Sequence, residues 1–362
     1  MKSFIVGGYC RDKLLGIPSK DIDYVVVGSS IEEMLAQGFQ QVGCDFPVFL
    51  HPETKHEYAL ARTERKSGNG YQGFVCDFNP SISIHEDLLR RDISINSIAY
   101  DEETNTYIDP CNGIEDIKNR VIRHTGKHFA EDPVRVLRVA RFLARYHKLG
   151  FIIHADTLEY MKSLVTSGEL KYLTKERIVL EIQKACTEDN PELFFETLYN
   201  IGAFQDVFGF SMKKYKLEQF MFHIQTLNKS FEYIIPAMQF YVDNDAFSKF
   251  MNKYVFPIEV KGNYIRVCTT HAFFVDFENI NSAVNFYNLV GARRYNEKAV
   301  NDFFHIVSFV THKRHLDDVK YKLFTAMKNI KDAMKKFTME NPKLEGYLIK
   351  EHFDKTIKES LS

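Results

Sequence analysis

Short apolar runs and turn residues alternate through the first third of the chain. Residues 4–6, 24–27, 48–50, 58–61, 74–78 and 97–100 are each rich in Val, Ile, Phe or Tyr and are separated by turn-forming stretches. That pattern predicts the strands of a mixed sheet, interleaved with one or two helices. From about residue 113 the apolar period becomes helical. EDPVRVLRVARFLARYHKLG, residues 131–150, is the clearest case: Asp132 can cap a helix, Pro133 suits its first turn and Gly150 ends it. Beyond residue 213 the pattern is helical, aromatic and lysine-rich, broken only at FPIEVKGNY and NPKLEG. The expected architecture is α+β: a head with a mixed sheet over residues 1–112, a helical neck and body over 113–208, and a helical C-terminal domain over 209–362.

Composition changes this picture little. The 362 residues are 45% hydrophobic and 26% charged with a net charge of −1, which suits a soluble globular protein and gives no global case for a polyanionic partner. Local clustering does give one. Between Lys118 and Lys148, nine Lys or Arg stand against Glu131 and Asp132. On a helix starting near Pro133, Arg135, Arg138, Arg141 and Arg145 fall within an arc of about 120°, opposite Val136, Leu137, Val139, Ala140, Leu143 and Ala144. The expectation is one packed face and one cationic face that meets a polyanion. The six cysteines form no C-x-x-C pair, as expected of reduced thiols in a cytoplasmic protein rather than a disulfide framework or zinc site. No signal-peptide profile and no apolar run of membrane-spanning length is found.

The chemistry starts at SKDIDYVVVGSS, residues 19–30. Asp21 and Asp23, one residue apart at the mouth of an apolar strand, would project to one side with Cα atoms on the order of 7 Å apart. Two such carboxylates can hold magnesium, which prefers hard oxygen ligands and leaves room for phosphate and water. Just upstream, FIVGGYCRDKLLG runs a strand into Gly7 and Gly8 and then a helix bearing Arg11. Gly8 lets backbone amides approach an anion, and Arg11 adds positive charge. A triphosphate grip thus precedes a metal grip by about ten residues.

With these motifs in that order, the sequence resembles the nucleotidyltransferases of the DNA polymerase β superfamily, and within it the class II tRNA nucleotidyltransferases, or CCA-adding enzymes. RRDISIN (90–96) is similar to that family's ribose-recognition motif, DPCNGIEDI (109–117) to its hinge between head and neck, and EDPVR (131–135) to its nucleotide-selecting motif. The resemblance spans about residues 1–205. It implies a polymerase-β-like head with Asp21 and Asp23 as catalytic metal ligands for Mg²⁺. It also implies nucleotide contacts from Gly8, Arg11, Arg91, Asp92, Asp132, Arg135, Arg138 and Arg141, with Asp132 and Arg135 reading the edge of the incoming base and Asp92 the ribose. The implied reaction is untemplated addition of C, C and A to the 3′ end of tRNA from CTP and ATP, with no obligate protein partner. The alternatives are a poly(A) polymerase-like adenylyltransferase, or a partial enzyme adding only C or only A. Glu57, opening the EYALAR strand, is the candidate third carboxylate. His124 and His128 are expected to be ordinary packing or surface residues.

The resemblance weakens downstream. Many bacterial relatives carry an HD phosphohydrolase domain, yet no His-Asp dipeptide occurs in this sequence and HLDD (315–318) lacks the adjacency. Phosphohydrolase activity is therefore not expected, and residues 209–362 could be a metal-free relic of such a domain or an unrelated tail. Residues 313–362 hold twelve Lys or Arg against eight acids, which would suit contact with the tRNA body. RKSGNGYQG (65–73) is expected to be a basic loop near the active face.

Overall fold

The computed structural model describes residues 1–19, 21–42, 47–66, 74–270, 287–288, 290, 296–308, 313–340 and 346–361. Most of the expected basic loop, residues 67–73, lies outside them, as does Cys44. The chain divides into two compact units, Met1–Gly209 and Phe210–Ser362.

The first unit is built on a seven-stranded mixed sheet. Its strands are β1 (Lys2–Val6), β2 (Asp23–Val27), β3 (Gln40–Gln41), β4 (Val48–Leu50), β5 (Glu57–Leu60), and two more, Ala99–Asp101 and Thr106–Ile108, in the spatial order β3-β4-β5-β2-β1 and then those two. The strands expected from apolar runs are all present, although 74–78 pairs outside this sheet as Phe74–Asp77 with Thr63–Lys66. The short polar strand β3 carries no apolar period and was not expected. Among the described residues of this sheet only β2 and β5 run parallel; β1 is antiparallel to both β2 and Ala99–Asp101.

Alternation along the strands buries both faces. Phe4, Val6, Val25 and Ala99 pack with Ile84 and Leu88 on one side, and Val26, Phe49 and Leu60 pack with Met34 on the other. Register then fixes what meets at one end of the sheet. Val6 pairs with Asp23, Asp23 with Glu57, and Val6 with Ala99, so the two acids sit beside the point where β1 gives way to a helix. That helix is α1 (Gly8–Leu15), entered through Gly7 at φ 67°, a left-handed conformation that disfavours any side chain. A second helix on the head, α2 (Ile31–Ala36), and a third, α3 (Ile84–Leu89), each start with a capping box, Ser30 with Glu33 and Ser83 with Glu86.

Helices follow the sheet. Helix α4 (Gly113–Lys118) has its first amides accepted by Asp109, at 2.7 Å from Gly113 N and 2.8 Å from Ile114 N. Helix α5 (Val134–Tyr146) begins at the expected proline, and a final 3₁₀ turn carries the chain to Gly150 at φ 87°. Helices α6 (Ala155–Thr166), α7 (Lys175–Cys186), α8 (Pro191–Asn200) and α9 (Phe204–Phe208) complete this unit.

The described part of the second unit is helical throughout. Phe303, Phe304, Val319, Leu323, Met327, Ile330, Phe353 and Ile357 from helices Glu297–Val307, Lys313–Glu340 and Gly346–Leu361 form one core. Within this unit His223 is completely buried: Tyr241 Oη lies 3.0 Å from Nδ1 and the carbonyl oxygen of Ile306 lies 2.9 Å from Nε2. No described helix is long and apolar enough to cross a membrane, and the five described cysteines are all free thiols.

Candidate active site

A cavity of about 500 Å³ opens at the sheet end that carries Asp23 and Glu57. That volume suits a small-molecule ligand of nucleotide size. Seven arginines and four carboxylates line it, a surplus of positive charge suited to a polyphosphate. The head contributes Gly8, Arg11, Asp23, Glu57, Arg91 and Asp92; the helical neck contributes Asp132, Arg135 and Arg138.

Asp23 opens β2 and is exposed. Partial desolvation nevertheless pushes its carboxyl up, Arg91 pulls it back and neighbouring Asp21 pushes it up again. Asp21 lies two residues before the strand starts, in irregular backbone, and is exposed; strict strand alternation therefore does not extend to it. The side chains lining the cavity include Asp23 and Glu57 but not Asp21. Among the described residues no three His, Cys, Asp or Glu side chains converge as a metal cage. The donor set is an open one: two aspartates within electrostatic reach, with Glu57 in register beside Asp23. Such a set fits a hard divalent ion that keeps phosphate and water among its ligands.

The arginines are held by acids. Asp87, fully buried on α3, accepts hydrogen bonds from Arg91 through Oδ2 (Nη2 3.0 Å, Nε 3.3 Å) and from Arg90 through Oδ1. Burial would raise this carboxyl, but Arg90 and Arg91 outweigh it and hold it at about 2. Arg91 in turn reaches the space left by the missing side chain at Gly7, where a Cβ would come 3.1 Å from its Nη1. Arg11 is itself buried, with Nε 2.8 Å from Asp12, Nη1 bonded to Asn96 and its guanidinium 5.0 Å from the Tyr146 ring.

Asp92 joins head to neck. Its Oδ1 accepts from Ile93 N at 2.8 Å and Asn96 Nδ2 at 3.1 Å, and its Oδ2 from Arg138 at 2.7 Å and 2.8 Å. Burial opposes the charge, yet Arg138 and these donors hold the carboxyl well below the usual range. Arg138 also approaches Glu181 of α7 at 3.8 Å.

The cationic stripe on α5 differs from the expectation of a free polyanion-binding face. Arg135 and Arg141 are buried. Arg141 does not line the cavity: Glu181 takes its Nε at 2.7 Å and Glu188 its Nη1 at 3.2 Å. Unlike the expected nucleotide contact, it is buried and paired with acids, outside the cavity lining. The partners lie 40 and 47 residues away in sequence, beyond any local count of charge. Arg135 remains at the cavity and also donates to the carbonyl oxygen of His128. His124 bonds Thr157 at 2.9 Å and His128 bonds Glu131 at 2.7 Å, the packing roles expected of them.

Three arginines at the cavity, Arg62, Arg90 and Arg177, were not singled out from the sequence. Arg90 stood inside the quoted RRDISIN motif. Arg177, in KERIVLE on α7, carries no local signal, yet it forms a two-pronged pair with Asp132: Nη1 to Oδ1 at 2.9 Å and Nη2 to Oδ2 at 2.6 Å. Asp132 Oδ1 also accepts from Val134 N at 3.2 Å, although the cap position of α5 is Pro133 and not Asp132 as expected.

These features define an α+β head with an arginine-lined cavity, joined to a helical neck. Residues 3–123 match the Poly A polymerase head domain, and residues 150–210 match the probable RNA and SrmB-binding site of polymerase A. The chain is 56% identical over 209 residues to a multifunctional CCA protein of Haemophilus influenzae, covering 58% of this chain and 50% of that one. It is 57% identical over 203 residues to a CCA-adding enzyme of Actinobacillus succinogenes, covering 56% and 50%. Over that stretch the chain is similar to CCA-adding enzymes. It spans about half the length of these curated relatives.

Solved structures share the fold. The CCA-adding enzyme of Bacillus stearothermophilus in complex with CTP superposes with a TM-score of 0.71 at 22% identity, covering 99% of this chain and 88% of that one. That of Thermotoga maritima complexed with tRNA gives 0.70 at 22%, covering 99% and 87%.

Proposed function

We propose that this protein adds C, C and A to the 3′ end of tRNA without a nucleic-acid template, using CTP and ATP and releasing pyrophosphate. One observation carries the reading. Asp23, Glu57 and Arg91 from the head and Asp132, Arg135 and Arg138 from the neck line one nucleotide-sized cavity. A metal-binding edge, a phosphate-binding wall and a pair able to read a base edge are thus within one ligand's reach.

In this reading Arg11 and Arg91 bind the triphosphate and orient its α-phosphate toward the Asp23 edge. Asp21 and Asp23 hold the divalent cation, taken here as magnesium, which would supply charge neutralisation and a more acidic attacking hydroxyl. The 3′-oxygen of tRNA bonds to the α-phosphorus as the bond to the bridging oxygen of the β-phosphate breaks. The hydroxyl proton leaves to solvent and pyrophosphate departs along the arginine wall. Asp132 accepts from the exocyclic amino group of cytosine or adenine, and Arg135 donates to a ring nitrogen or carbonyl. Asp92 meets the ribose, as the resemblance implies, and also holds Arg138.

The test is extension of tRNA ending before CCA with each triphosphate alone and with CTP and ATP together, for wild type and Asp23→Asn. The expected result is C-C-A with wild type and loss of at least a thousandfold in rate with the variant, tRNA affinity being retained. Addition of A alone to varied RNAs would establish a poly(A) polymerase instead. Because no His-Asp dipeptide occurs in the sequence, no phosphohydrolase activity is assigned to this chain.

A further inference from the structure

We propose that Arg177 is a specificity-determining positioning residue, which sets nucleotide choice by fixing the acceptor direction of Asp132. The inference deepens the proposed function, since it rests on Asp132 meeting the base.

A carboxylate has two oxygens and about four lone-pair directions. The Arg177 fork takes one from each oxygen, at 2.9 Å and 2.6 Å, and Val134 N takes a second from Oδ1. One direction on Oδ2 is left. Asp132 lines the cavity, and its carboxylate plane is fixed by the two-pronged Arg177 pair, a planar partner that a point charge could not replace.

Arg177 is itself registered. One turn further along α7, Glu181 is buried and pairs with Arg141 at 2.7 Å. Thus α7 gives a cation to the start of α5 and an anion to its middle, and neither helix can slide without breaking one of the two pairs. The acceptor direction of Asp132 is set by α7, a helix that contributes no base-reading group of its own.

The chemical consequence is selection by rejection. The amino groups of cytosine and adenine donate to a fixed acceptor, whereas uracil and guanine present a carbonyl oxygen at the equivalent position. Lone pair would then face lone pair, and a fixed carboxylate cannot turn to avoid it. Released from the fork, Asp132 can swing aside and tolerate the carbonyl.

Arg177→Lys keeps the charge and loses the fork; Arg177→Met loses both. Steady-state incorporation on tRNA lacking CCA would give kcat/KM for CTP against UTP, and calorimetry would give the two Kd values without catalysis. The preference for CTP should fall about tenfold or more in Arg177→Met, the worth of one good bidentate contact. Lysine should restore only part of it, and KM for CTP should rise more than kcat falls. An unchanged CTP to UTP ratio in both variants, whatever their melting temperatures, would overturn the proposal. Wild type that fails to extend tRNA would refute the proposed function instead, and the Kd ratio alone would then decide on Arg177.

Discussion

Replacing Asp87 by Asn should weaken both the fold of the N-terminal unit and its grip on nucleotide. Asp87 is fully buried and accepts from the Arg62 amide and from the side chains of Arg90 and Arg91. Its carboxyl moves from 3.8 to about 2, which corresponds to about 2 kcal/mol favouring the charged form. Asparagine removes that and leaves two guanidiniums of 12% and 20% exposure facing a neutral amide. Breaking a buried pair by removing one partner costs about 3–5 kcal/mol, so a loss of ~2–4 kcal/mol is expected. The sign with pH also follows. A carboxyl lowered on folding stabilises above its unfolded value near 4 and is lost only as pH falls through about 2. The difference between wild type and variant should therefore stay constant from pH 7 to pH 5. Urea unfolding read by hydrogen exchange on α3 and β1 measures the stability, and CTP titration measures binding, where freed Arg91 should raise Kd several-fold. A variant within 0.5 kcal/mol of wild type, a threshold set by ordinary surface substitutions, and with unaltered CTP affinity would refute the idea that this acid anchors the phosphate-binding wall.

Two further perturbations probe other parts of the chain. Burial lowers His223 to about 4, with His305 adding to the effect and the Ile306 carbonyl opposing it; a base lowered on folding stabilises fully above 6.5 and loses that contribution as pH falls toward 4. Compared with His223→Gln, wild type should lose about 3 kcal/mol over that window in urea titrations, and a pH-independent difference would contradict the assignment. At Gly113 a Cβ would lie 2.2 Å from the Ser94 carbonyl oxygen, so Gly113→Ala should cost about 2–3 kcal/mol or more, visible as a lowered melting temperature; an unshifted melt would show that α4 can move away from that carbonyl at no cost.

What could be read from the sequence was what local pattern encodes. Apolar alternation marked β1, β2 and β5, and a 3.6-residue period framed by Pro133 and Gly150 marked α5. The candidate site was legible as short motifs, because Gly8, Arg11, Arg91, Asp92, Asp132, Arg135 and Arg138 do line one cavity. What stayed hidden depends on pairing at a distance. Asp87 sits near the quoted motif but is recognisable as an anchor only once its burial is known, and Arg177 lies 45 residues from Asp132. The same blindness made Arg141 look exposed, when Glu181 and Glu188 bury its charge. Asp21 shows the converse limit. Strand alternation was applied across a start that β2 reaches only at Asp23.

The pairing of these arginines explains how a protein with a net charge of −1 can present a cationic cavity. A flexible arginine in water would lose side-chain freedom on meeting a phosphate, at roughly 1.5–2 kcal/mol each. Here Arg11, Arg90, Arg91, Arg138 and Arg177 are held before any ligand arrives, by Asp12, Asp87, Asp92 and Asp132. The holding acids cancel part of the field, yet seven arginines against four carboxylates still line the cavity. Orientation is thus gained during folding and a positive surplus is kept for binding, which is what electrostatic preorganisation requires. The same logic assigns unlike tasks to like residues. A fully buried acid such as Asp87 serves by neutralising, whereas Asp132 keeps an 18% exposed side chain among the residues that line the cavity.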